Sequence, residues 1–118
     1  MGQRGAGAPR ALRGAPLIFR RRSRFAELVE RQLDIFAEDE RELLSDVERA
    51  ERAYDTATRD DADEAYGNVQ LLLDAGADRL ADVRNAYAAT LDEVVATTYE
   101  EAFLRGASKR FPRLIGLL

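Results

Sequence analysis

The sequence predicts an all-α fold, a long antiparallel two-helix hairpin of coiled-coil character, on three observations. Apart from Glu40, the residues Val29, Leu33, Phe36, Leu43, Val47, Ala50, Tyr54 and Ala57 fall at alternating four- and three-residue steps, the spacing that lays one apolar seam along a helix. A second series repeats the steps: Ala62, Tyr66, Val69, Leu73, Gly76, Leu80, Val83 and Tyr87. Between the two, Thr56-Ala57-Thr58-Arg59-Asp60-Asp61 interrupts the pattern with β-branched threonines, followed by acids suited to a helix N-terminus.

Taken in order, residues 1–22 combine glycine, proline, small residues and arginines, too little apolar surface to offset the entropy of ordering them. They read as a basic, largely disordered tail, or in part as a mis-assigned start upstream of Leu17. Helix one is expected over residues 23–57, with Ser23 as N-cap and Glu27 near the positive end of the helix dipole. Phe25, Leu28 and Ile35 widen its apolar arc, which therefore needs more than one partner.

Helix two is expected over residues 61–105, opened by Asp61 with Glu64 or by Thr58 with Asp61. No glycine or proline lies at the boundary, which leaves a single continuous helix through Thr58 as the alternative. Helix two should end near Gly106, with Arg105 in its last turn and Pro112 beyond. Residues 107–118 are basic, then apolar: a tail, or a short third helix.

A turn near Thr58 would pair Val47 with Val69, Leu43 with Leu73, Phe36 with Leu80, Leu33 with Val83 and Val29 with Tyr87. It also sets Glu40, the one polar interruption of the first seam, opposite Gly76. Glycine inside a helix costs ~1 kcal/mol relative to alanine, and room for a carboxylate reaching solvent or Arg79 would be its local reason. The competing reading is that Gly76 breaks helix two and makes a three-helix protein. Past Tyr87 the register slips by one step, and Val94, Val95, Tyr99, Phe103 and Leu104 would overhang the start of helix one. Unless residues 17–19 fold back over them they need a second chain, so a dimer, as a bundle of two hairpins, is the expected assembly.

The composition excludes several chemistries. At 118 residues the chain fits one domain, and it has neither cysteine nor histidine. Thiolate catalysis, sulfur-ligated metals and the commonest general base are therefore ruled out. Ferritin-like di-iron bundles need a Glu-x-x-His pair on each of two helices. The acids Glu38, Asp39, Glu40 and Glu42 read instead as a solvated face. No phosphate loop, nucleophile elbow or dinucleotide fingerprint appears, so no enzyme activity and no cofactor are expected. No apolar run approaches the ~20 residues of a membrane span, and a cytoplasmic protein is expected.

The net charge of −4 conceals a sharper layout. Residues 1–24 hold seven arginines and no acid, residues 25–104 hold seven arginines against all 22 acids, and residues 105–118 hold four bases and no acid. In a hairpin, Arg20, Arg21, Arg22 and Arg24 would meet Arg105, Lys109, Arg110 and Arg113 in one basic pole. The expected function is a non-enzymatic interaction or scaffold protein that touches a protein partner through this pole. The alternative is a peripheral binder of anionic membrane, or less readily of nucleic acid, which the acidic body would repel.

Overall fold

The computed structural model describes residues 24–116, and among them every regular element is a helix. The elements are α1 (Ala26–Asp39), α2 (Arg41–Asp55), α3 (Ala62–Ala88), α4 (Glu93–Arg110) and the short α5 (Pro112–Ile115). The expectations for residues 1–22 and for Ser23 as N-cap lie outside the described residues.

Helix one is a bent rod in two pieces. At Glu40 the backbone leaves the helical region, with φ −105° and ψ 26°. Its amide still donates to the Phe36 carbonyl at 2.9 Å and its carbonyl accepts from Leu44 at 2.9 Å. The bend falls where the apolar seam meets a carboxylate, which is costly to bury unpaired. Glu40 is only partly covered and pairs with Arg79 of α3. The rod ends at Asp55, where the Thr56 amide and hydroxyl both donate to the Arg52 carbonyl, at 3.1 and 3.0 Å. In the turn that follows, the Thr58 hydroxyl donates to the Asp61 carboxylate at 3.2 Å, while the Asp61 side chain caps no amide.

The expected single helix over residues 61–105 is corrected: the chain reverses between Ala89 and Asp92. Thr90 donates to the Tyr87 carbonyl through both its amide (3.0 Å) and its hydroxyl (2.7 Å), closing α3. Asp92, extended at φ −70° and ψ 166°, opens α4 by accepting from the Val95 amide at 3.0 Å. Gly76 is therefore not a break, and lies buried inside α3. Gly106 does not end α4, which continues to Arg110 with Lys109 and Arg110 in its last turn. The stop comes at Phe111, because the residue before a proline is pushed out of the helical region. Pro112 then starts α5, where its missing amide costs nothing.

This reversal decides the core. Helix α4 runs back parallel to α1, with Tyr99 beside Phe25 (ring centroids 5.5 Å apart) and Phe111 beside Phe36 (5.3 Å). Of the residues expected to overhang, Tyr99 and Phe103 are fully buried within one chain, while Val94 and Leu104 stay exposed at 78% and 50%. Phe25, Tyr87 and Tyr99 form an edge-on aromatic cluster. Below it, Val29, Leu33, Phe36, Leu80, Ala102, Phe103 and Ala107 continue one core. Helix α5 closes the middle: Leu114 is buried, and its methyls would lie 3.0 and 3.4 Å from a Cβ at Gly76. The space at Gly76 thus belongs to Leu114 and not to the Glu40 carboxylate, while that carboxylate does reach Arg79, the partner expected for it.

Candidate functional site

Among the described residues, the bases singled out from the sequence do not share one end of the body. Arg24 lies exposed at the start of α1 with its guanidinium over the Phe25 ring, 5.2 Å from the centroid. Because α4 folds back, Arg110 and Arg113 sit along the flank of α1 and α2. Arg110 pairs with Asp34 and lies over the Phe111 ring. Arg113 forms an ion pair with Glu51, its Nη1 donating to Oε1 at 2.9 Å. Arg105 and Lys109 are exposed on α4. Arg20, Arg21 and Arg22 lie outside the described residues.

The seam residues divide by position. Val29, Leu33, Phe36, Leu43, Val47, Val69, Leu73, Gly76 and Leu80 are buried, while Glu40, Val83 and Tyr87 are partly covered. Tyr54 and Tyr66 stand out, 43% and 51% exposed. Their ring centroids lie 5.6 Å apart, with the planes tilted at 56°, across the far ends of α2 and α3. The cause is the reach of the other helices. Helix α4 lies on α1 and on α3, and α5 reaches α2 at Glu51. Past that point α2 and α3 face only each other, as a two-helix arm. Leu71 on α3 is also 73% exposed.

The periodicity missed Ala107 and Leu114 and set Tyr99 and Phe103 beyond the end of the seam, whereas all four are buried. The one-step slip after Tyr87 was the available signal for the reversal. Asp92 followed by Glu93 marks the new helix start, but Val95 stands where a capping box would have Glu or Gln, so the mark is faint.

Chemically the body is quiet. The Tyr99 hydroxyl, buried and donating to Gln32 Oε1 at 2.8 Å, is pushed above its ordinary pKa by loss of solvent around it. It makes a hydrogen bond within the core, beside the Tyr87 ring. Among the described residues no three carboxylates converge as a cation would require, and no helix is long and apolar enough to cross a membrane. One shallow groove of about 150 Å³ opens between α1 and α3, lined by Gln32, Ile35, Phe36, Asp39, Glu40, Arg79 and Val83.

The chain matches no protein-family model, no curated protein and no solved structure.

Proposed function

We propose that the protein is a non-enzymatic helical interaction protein that self-associates through the two-helix arm of α2 and α3. The observation that carries this reading is the loss of burial along one seam. Val47 and Val69 are each 6% exposed, yet Tyr54, two turns beyond Val47, and Tyr66, one turn beyond Val69, are about half exposed, with their rings tilted against each other. A two-helix unit has no third wall for its apolar stripe, whereas two such arms related by a two-fold axis would close a four-helix bundle. Tyrosine suits that use, because it buries a large ring at low entropic cost and keeps its hydroxyl wet.

Sedimentation equilibrium over a concentration series tests it. The expected mass is about twice the 13.2 kDa of one chain, and Tyr54→Glu with Tyr66→Glu returns the protein to a single chain with its helical circular dichroism intact. A single-chain mass at every concentration would overturn the reading.

A second reading, contact with an anionic lipid surface, is supported by Arg105 and Lys109 standing exposed beside the half-exposed Leu104 on α4. Co-sedimentation with anionic vesicles across a salt series tests it. Binding at low salt that weakens with Arg105→Gln and Lys109→Gln supports it, and no binding at low salt removes it.

A further inference from the structure

We propose that the groove between α1 and α3 is a docking surface for a segment of this same chain, residues 17–19, Leu-Ile-Phe, which precede three arginines. The groove lies between α1 and α3, with Gln32, the acceptor of the Tyr99 hydroxyl of α4, on its edge. Its floor is Ile35, Phe36 and Val83, and Ile35 is 54% exposed although it belongs to the widened apolar arc of α1. Its volume of about 150 Å³ is that of a cavity that accepts one benzene ring, so it has room for one phenyl or branched aliphatic side chain.

Three features of the chain select the occupant. The first is chemistry, since Leu17, Ile18 and Phe19 are the only run of three large apolar residues before α1. The second is charge. Asp39 and Glu40 line the groove against a single base, Arg79. Residues 1–24 carry seven arginines and no acid, and residues 25–104 carry 22 acids and seven arginines. The opposite charges would draw this stretch toward the acidic body. The third is reach. From Arg24 to Ile35 is ~16 Å along α1 at ~1.5 Å per residue. An extended chain covers up to ~17 Å from Arg24 back to Phe19 and ~24 Å to Leu17. The apolar run is thus set at the distance at which it meets the groove.

The absence of cysteine makes a site-specific test clean. A nitroxide on Ala15→Cys in the full chain should remove most of the methyl signal of Ile35 and Val83, reversibly on reduction of the label. Val69 and Leu71, far along α3, should keep theirs. Ile18→Asp with Phe19→Asp in the labelled chain should restore the Ile35 and Val83 signals. Full intensity at Ile35 and Val83 in the labelled native sequence, or equal loss at all four residues, would overturn the proposal. So would the same signal loss at Ile35 and Val83 when nitroxide-bearing and isotope-bearing chains are separate molecules in one sample, because the occupant would then be a second copy.

Discussion

Replacing single glycines by alanine tests the fold-back of α4 on α1, because it measures close approach against a known helical gain. Gly67, Gly76 and Gly106 all lie inside helices. Alanine is favoured over glycine there by ~1 kcal/mol. At Gly67 nothing lies within 4 Å of an added Cβ, so Gly67→Ala should deliver that gain. At Gly106 the added Cβ would lie 2.9 Å from Val29 Cγ1 and 3.3 Å from Leu33 Cδ1. Val29 is β-branched and stiff at χ1, and it is 3% exposed, so it has no free direction in which to retreat.

Overpacking of this kind costs ~1–3 kcal/mol. Gly106→Ala should therefore come out between neutral and ~2 kcal/mol less stable, ~1–3 kcal/mol below Gly67→Ala. Urea unfolding followed by circular dichroism reads this as midpoints about 1 M apart, for a small domain with m near 1–2 kcal/mol/M. Adding Val29→Ala should relieve part of the Gly106→Ala penalty, a coupling of ~1 kcal/mol between touching sites. Equal stabilisation by Gly67→Ala and Gly106→Ala would refute the packing of α4 against Val29. Gly76→Ala should fall between them, since its neighbour is the movable end of Leu114.

Phe103→Ala removes a fully buried ring and should cost ~3–5 kcal/mol, seen as a lowered thermal midpoint. A loss under 1 kcal/mol would mean that Phe103 is not in the core. Tyr99→Phe deletes the hydrogen bond to Gln32 and should cost ~1 kcal/mol at neutral pH. Because burial raises the Tyr99 pKa above 10.0 in the folded state, the unfolded chain ionises first. Its contribution is therefore fully present below pH 10 and is lost as pH rises through the raised value. Stability above pH 10 should fall less steeply in Tyr99→Phe than in the native chain, and parallel profiles would refute this. The Glu40–Arg79 pair, with Arg79 about half exposed, should show a coupling below ~1 kcal/mol in a double-mutant cycle, shrinking in high salt. A larger, salt-independent value would contradict its rim position.

The sequence by itself determined what depends on near neighbours. Three- and four-residue spacing laid Val29, Leu33, Phe36, Leu43 and Val47 on one helix face, and the same spacing did so for Val69, Leu73 and Leu80, because a helix brings residues three and four apart together whatever lies across from them. The threonines and acids of residues 56–61 likewise marked a break in the helix through hydrogen bonds made within a few residues. The opposition of the sequence's charges was also legible, but not where the bases would lie.

Only the tertiary structure decided the reversal at Ala89–Asp92. Its local marks are one threonine and one aspartate, and continuing the helix would have satisfied the same backbone groups. What favours the turn is the burial of Tyr99, Phe103 and Leu114 against α1 and α3, a gain no short window of sequence contains. From that turn follow the pairing of Arg110 and Arg113 with acids on α1 and α2 and the arm left with two helices.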